Sequence, residues 1–217
     1  ILCNLLTGNS LHFWDRLYDR MTKYDWWHGR EEVEEDVYLT HLLTKHSVRF
    51  IEENKDKPFC LFITHGAFHS PVQGPTDSIT RGPKKAKGKE KSTRSDKEKY
   101  TDMLVELDRS VGAVVQALKD NGLDENTLVL FTSDNGPMKL STAVVLRGKK
   151  GSIYEGGHRV PTVAWWPGKI KPSVCDTTAI GIDIMPTVFS LTKTSIPDGY
   201  IFDGVDLTSL LLENKLK

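Results

Sequence analysis

Three groups of residues in this sequence could do chemistry. Ser133-Asp134-Asn135-Gly136 directly follows the apolar run Thr127 to Thr132. In open parallel sheets functional groups gather at the carboxyl ends of strands, where loops diverge. A carboxylate beside an amide carbonyl is a pair of hard oxygen ligands suited to Ca²⁺ or Mg²⁺, and Gly136 and Pro137 let the chain turn away. The same four residues also suit a strand-to-turn junction with Asx capping. Thr64-His65-Gly66-Ala67-Phe68-His69-Ser70-Pro71 leaves a second apolar run in the same way. A histidine there can hold an anion or protonate a leaving oxygen. Spacing alone does not separate His65 from His69, and either also reads as an ordinary loop histidine. The third group is Gly148-Lys149-Lys150-Gly151 followed by Glu155-Gly156-Gly157-His158-Arg159-Val160-Pro161. Glycines let backbone and ammonium approach an anion closely. Lysine is a compact charge that can sit against a sulfate or phosphate oxygen, though a solvated basic turn has the same composition.

These groups need elements to position them. Val37, Leu39, Leu42, Leu43, Val48 and Ile51 recur at helical spacing, which predicts an amphipathic helix from Asp36 to about Glu53, ended by Pro58. Phe59 to Thr64 is a short apolar run of the kind that forms a strand buried on both faces. Gly74 to Lys99 reads as loop, with a basic insertion at 82–99 in which lysines outnumber acids. A second helix carries Met103, Leu104, Leu107, Val111, Val114, Val115 and Leu118 on one face and stops at Asn121-Gly122. Thr127 to Thr132 and Thr162 to Trp166 are further strands, the latter closed by Pro167-Gly168, and Ile182 to Leu191 is a third helix. Helices alternating with buried strands argue for an α/β architecture with a mostly parallel sheet flanked by helices. The stretch from Ile1 to Glu35 is aromatic-rich and without a clear period; its Trp14, Trp26 and Trp27 could stack on a sugar ring or cover a core edge.

Composition narrows the class. The 217 residues carry 29 basic and 29 acidic side chains, so the net charge is zero and no global field points to nucleic acid or a membrane surface. Any electrostatic role is local, and the 82–99 insertion is the place for it: it could raise the local concentration of a sulfated polyanion or simply be a solvated insertion. No apolar run approaches the roughly 18 residues of a membrane span. Cys3, Cys60 and Cys175 lie far apart and form no CxxC pair, which argues against a zinc site and against a disulfide framework. No Asn-x-Ser/Thr acceptor occurs.

Order and spacing add what no single group supplies. Pro58-Phe59 through His69-Ser70-Pro71, then Leu107-Asp108 to Val111-Gly112, then Asn126 to Gly136 ending Thr-Ser-Asp-Asn-Gly, then Gly148 to Pro161, resembles the sulfatase family. The segments Ile182-Asp183-Ile184-Met185-Pro186-Thr187 and Asp203-Gly204-Val205-Asp206-Leu207 look like later segments of that family. Ala164-Trp165-Trp166-Pro167-Gly168 is similar to the arylsulfatase and N-acetylgalactosamine-sulfatase branch.

The resemblance implies an alkaline-phosphatase-like α/β fold, of which residues 1–217 would be a central and C-terminal part of the catalytic domain. It implies hydrolysis of sulfate esters, of a sulfated carbohydrate or an aryl sulfate, by a formylglycine made from Cys or Ser beside a divalent cation, Ca²⁺ or Mg²⁺. Asp134 and Asn135 would then be metal ligands, Lys150 would contact the sulfate and the bridging oxygen, with Lys149 as the fallback, and His69 would bind sulfate and assist the leaving group. The family's Cys/Ser-x-Pro-x-Arg nucleophile motif follows none of the three cysteines, so this chain alone is expected to be inactive and to be an internal piece cut at both ends. A non-catalytic sulfatase-like protein that binds sulfated glycans, and a phosphoester hydrolase of the same superfamily, are the competing readings. Lysosomal, secreted or periplasmic placement is implied by the family only.

Overall fold

The computed structural model describes residues 5–7, 26–32, 38–67, 69, 72–77, 94–137 and 145–214. In chain order its elements are strands β1 (Leu5–Thr7), β2 (Trp26–His28) and β3 (Glu31–Glu32), helices α1 (Leu39–Asn54) and α2 (Asp96–Asp120), and a 3₁₀ turn (Asp124–Asn126). Strand β4 (Val129–Thr132), helix α3 (Glu155–His158), strand β5 (Thr162–Trp165), a second 3₁₀ turn (Gly181–Asp183) and helices α4 (Ile184–Thr192) and α5 (Thr208–Glu213) follow. The chain divides into two compact units, the first Ile1–Leu123 with Pro137–Gly157 and the second Asp124–Gly136 with His158–Lys217.

The first unit is organised by α1 against α2. Leu39, Leu42, Leu43, Phe50 and Ile51 form the buried stripe of α1, and Met103, Leu107, Ala117 and Leu118 that of α2. Helical spacing puts each set on one face, and burial of that face supplies most of a helix's stability. The seam also carries polar contacts: Thr44 Oγ1 donates to Ser110 Oγ at 2.6 Å. The buried Glu106 carboxylate accepts from His41 Nε2 at 2.7 Å on one oxygen and from Arg109 Nη1 at 2.6 Å on the other. Pairing both oxygens meets the cost of burying a carboxylate. Helix α1 starts later than Asp36 because Tyr38 is extended (φ −61°, ψ 129°) and its hydroxyl donates to the Gln73 carbonyl at 3.0 Å. Burial pushes the Tyr38 phenol up to about 12. Helix α2 starts earlier than its apolar face. Ser95 and Glu98 form a capping box that brings Asp96 to Lys99 out of the expected loop and into the helix. Of the 82–99 insertion, residues 82–93 lie outside the described residues.

Phe59 to Thr64 is a correction to the strand expectation. It joins no ladder among the described residues. Its side chains nevertheless alternate: Phe59, Leu61 and Ile63 are half-buried, while Cys60, Phe62 and Thr64 are exposed. Phe59 meets Phe50 of α1 edge-on at 5.7 Å. A strand buried on both faces needs a neighbour for its backbone and a cover for each face; here α1 covers one face, and no strand among the described residues pairs with it. The aromatic-rich start, read as irregular, contains an antiparallel ladder in which β2 lies between β1 and β3, with Leu6 opposite Trp27 and Trp27 opposite Glu32.

The second unit is built on an antiparallel pair, Val129 opposite Trp165 through Thr132 opposite Thr162. All ladders among the described residues are therefore antiparallel, although the order of helices and apolar runs pointed to parallel pairing. Parallel strands need partners far away in sequence, and among the described residues none is paired to β4 besides β5. Trp166 Nε1 donates to the Glu125 carbonyl at 2.9 Å, holding the exit of β5 beside the turn that precedes β4. Asp183 ties the remainder together. One carboxylate oxygen accepts from Ile180 N at 2.8 Å and the other from Val205 N at 2.9 Å. Thr187 Oγ1 donates to the Asp183 carbonyl at 2.6 Å and accepts from Leu207 N at 2.9 Å. Gly204 leaves the room this needs, since a Cβ there would sit 2.3 Å from the Ile182 carbonyl oxygen.

Candidate functional site

In the first unit the lysine pair rides on a glycine-built turn. Gly148 (φ +92°) and Gly151 (φ +85°) adopt the left-handed region that favours glycine. The turn closes through Ser152 N–H to the Lys149 carbonyl at 2.9 Å and Gly156 N–H to the Arg147 carbonyl at 2.8 Å. Gly156 and Gly157 make this possible: a Cβ would stand 2.4 Å from the Gly148 carbonyl oxygen at the first and 1.9 Å from that of Ser152 at the second. The pair is thus a close-packing device that folds α3 back under the lysines. Lys150 N–H donates to the Pro137 carbonyl at 3.0 Å, which fixes its backbone. Both lysines are exposed, and neither ammonium is engaged among the described residues. The neighbouring Arg147 is occupied instead, stacked over the Tyr154 ring at 3.7 Å and donating to its hydroxyl at 2.8 Å.

The histidines, which spacing left equivalent, differ in their surroundings. His69 is exposed, and its N–H donates to the Gly66 carbonyl at 3.0 Å, closing a four-residue turn. His65, directly before that turn, is mostly buried; desolvation pushes it down to about 4, so it is a neutral imidazole at ordinary pH. Its Nδ1 is enclosed and has no hydrogen-bond partner among the described residues. Beyond the turn the loop is anchored. Gly74 N–H donates to Asp77 Oδ2 at 2.7 Å, Arg94 pairs with Asp102 and, at 3.6 Å, with Asp77, and it donates to Thr76 Oγ1 at 3.0 Å. The bond to Asp102 holds the Arg94 guanidinium above its ordinary pKa. Arg94 thereby ties the chain before and after residues 78–93 to α2. Sequence reasoning missed this clamp because Asp77 and Asp102 are far apart along the chain.

In the second unit Asp134 and Asn135 follow the last residue of β4. The strand end is held by Thr132 Oγ1 and Thr162 Oγ1 at 3.0 Å across the ladder, and Ser133 Oγ donates to the Asn135 carbonyl at 3.0 Å to shape the turn. Asp134 is exposed, and neither its carboxylate nor the Asn135 side chain has a partner among the described residues. Two uncommitted hard-oxygen donors on consecutive residues fit a Ca²⁺ or Mg²⁺ ion in donor chemistry. They supply a minority of the roughly 6–8 oxygens that Ca²⁺ takes, and no group of three or more possible ligands occurs among the described residues. His69 and Lys150 thus belong to one unit, Asp134 and Asn135 to the other.

The sulfatase family model matches residues 7–194. The chain belongs to the sulfatase family. It is 32% identical over 180 residues to an arylsulfatase of Hemicentrotus pulcherrimus, covering 81% of this chain and 30% of that protein. Against human arylsulfatase A it is 37% identical over 172 residues, 77% of this chain and 31% of that one. The chain therefore spans about a third of the length of the curated relatives it matches. Among solved structures, Ps i-CgsB in complex with k-i-k-neocarrahexaose superposes with a TM-score of 0.73 at 29% identity, over 88% of this chain and 42% of that one. PsFucS1 sulfatase from Pseudoalteromonas sp. superposes with a TM-score of 0.63 at 31% identity, over 85% and 38%. The lipoteichoic acid synthase LtaP of Listeria monocytogenes, at 22% identity and a TM-score of 0.58, shares the fold alone. The fold is the alkaline-phosphatase-like α/β fold that the motifs led us to expect, present as a partial domain. No helix among the described residues is long and apolar enough to cross a membrane.

Proposed function

We propose that this sulfatase-family chain contributes to a sulfuric ester hydrolase whose substrate is a sulfated carbohydrate, an aryl sulfate being the simpler substitute. The observation that carries the reading is a combination. A strand-end Asp134-Asn135 and a glycine-built turn presenting Lys150 both leave their side chains uncommitted, in a chain matched by the sulfatase family over residues 7–194. The similar structure Ps i-CgsB, solved in complex with k-i-k-neocarrahexaose, supports a carbohydrate as the substrate class.

The physical logic is that of charge screening. A sulfate ester repels a nucleophile until its oxygens are neutralised, and a preorganised cation does this in place. Lys150, backbone-anchored at Pro137, supplies one fixed positive charge for the sulfate and bridging oxygens. A bound Ca²⁺ or Mg²⁺ held partly by Asp134 and Asn135 would add Lewis-acid polarisation of a sulfate oxygen. In this reading His69, exposed at its turn, gives a proton to the departing alcohol oxygen, a poor leaving group without one. The nucleophile, a formylglycine in this reading, is not among these 217 residues, since no Cys or Ser here opens a Cys/Ser-x-Pro-x-Arg motif. The test is sulfate release from a sulfated oligosaccharide by the polypeptide that joins these residues to such a motif. Lys150→Ala and His69→Ala should each lower kcat by about a hundredfold, and Asp134→Ala should raise the metal concentration needed for activity. Full activity in all three variants would sink the assignment.

A further inference from the structure

Arg147 stands on the same glycine-built turn as Lys150 and carries a charge that the chemistry above does not use. The fold of the turn brings it onto Tyr154. Gly148, in the left-handed region, packs so closely that a Cβ there would lie 2.5 Å from Ser152 Oγ and 3.0 Å from Tyr154 Cβ. Ser152 Oγ accepts from Tyr154 N–H at 3.1 Å, and Gly156 N–H donates to the Arg147 carbonyl at 2.8 Å. With both backbones fixed, the guanidinium lies over the Tyr154 ring, 3.7 Å from its centre, and Nη2 donates to the phenolic oxygen at 2.8 Å. This contact orders Arg147 without using it up. Tyr154 takes one of the guanidinium's N–H donors and leaves the rest, together with the charge. A guanidinium edge can hold two oxygens of one oxyanion. A loose, exposed arginine gains little from an ion pair, because ordering its long chain offsets the attraction. Arg147 is exposed yet already ordered, so less is lost when an anion arrives.

We infer that Arg147, braced on Tyr154, binds a second sulfate of the same glycan while Lys150 meets the ester being cleaved. The site therefore selects carbohydrates that are sulfated at two neighbouring positions. The inference deepens the carbohydrate reading above and rests on it for the role of Lys150. Even a fully extended chain would set the Cα atoms of Arg147 and Lys150 at most about 10 Å apart, and the turn shortens that. Two sulfates of one disaccharide can thus meet both charges. Lys149, exposed between them, adds attraction but no fork. Arg147, Lys149, Lys150 and Tyr154 all lie in the first unit.

The test reads affinity, not turnover. The 217-residue chain is titrated by calorimetry with a galactose disaccharide bearing one sulfate, and with its counterpart bearing a sulfate on each sugar. The disulfated sugar should bind about tenfold more tightly or better. Arg147→Ala should remove that preference, and Arg147→Lys should restore only part of it, since a point charge lacks the fork. Tyr154→Phe should lower it about threefold by releasing the guanidinium from the hydroxyl. Lys150→Ala should weaken both sugars and leave the preference in place. Each preference is a ratio within one variant, so a loss of folded protein cancels. Absence of sulfate release by the polypeptide that carries the nucleophile motif would count against the hydrolytic reading and leave these affinities unchanged. No binding of the disulfated sugar, equal affinity for the two, a preference that survives Arg147→Ala, or full recovery in Arg147→Lys would overturn the inference.

Discussion

The two units are held by different forces. Every fully buried large apolar side chain among the described residues lies in the first, from Tyr38 to Leu118. The second buries Asp183, Pro186 and Thr187 and leaves Val163, Ile180, Ile182, Met185 and Ile201 more than half exposed. It is organised by directed bonds: the β4–β5 ladder, the Trp166 indole on Glu125 and the Asp183 carboxylate. Apolar burial is distributed over many contacts and tolerates local error. A few hydrogen bonds define a shape sharply, yet each contributes only about 1 kcal/mol net. The first unit should therefore resist denaturation through its core, and the second should open wherever one polar tie is cut.

The largest effect that could break this contrast is in the first unit. Met103, with no exposed surface, should cost about 2–5 kcal/mol as Met103→Ala, read from the urea midpoint of the α1–α2 helical signal. A smaller loss would mean that the seam is not the main support. Next comes pH. His65 drops from 6.5 to about 4 because burial disfavours its charged form. The unfolded chain therefore binds the proton that the folded one refuses, and stability present above pH 6.5 is lost as pH falls toward 4. The shift corresponds to roughly 3 kcal/mol. His65→Asn should flatten that part of the stability curve. Asp183→Ala should cost about 1–3 kcal/mol by leaving the Ile180 and Val205 amides without their acceptor. Hydrogen exchange should rise at residues 203–207 while α1 and α2 keep their protection. Smallest is Ser95→Ala, which removes the cap of α2 and should cost about 1 kcal/mol in thermal melting.

The same contrast explains what could be read from the sequence. The stripes of α1 and α2 are local and periodic, so their buried residues were legible from spacing. The start of α2 was also written there, as Ser95 followed by Glu98, but the run of lysines before it drew the boundary too late. Strand pairing was not legible, because β4 finds β5 thirty-odd residues away and Phe59–Thr64 finds no strand among the described residues. At the candidate site the residue types at Asp134, Asn135, Lys150 and His69 stood out through their resemblance to a family. What spacing could not say is why Gly156 and Gly157 are needed: they pack against carbonyl oxygens of Gly148 and Ser152. Nor could it separate His65 from His69, since burial depends on the whole unit. Asp183 looked like one more family segment, and its partner at Val205 lies 22 residues further on.

The most direct test of the account is a matched pair of esters, p-nitrophenyl sulfate and p-nitrophenyl phosphate, given to the polypeptide that joins these residues to a Cys/Ser-x-Pro-x-Arg segment. The account predicts that kcat/KM favours the sulfate by about a hundredfold or more, and that Lys150→Ala removes most of this preference. Preferential release of phosphate, or hydrolysis of the sulfate undiminished by Lys150→Ala, would contradict it.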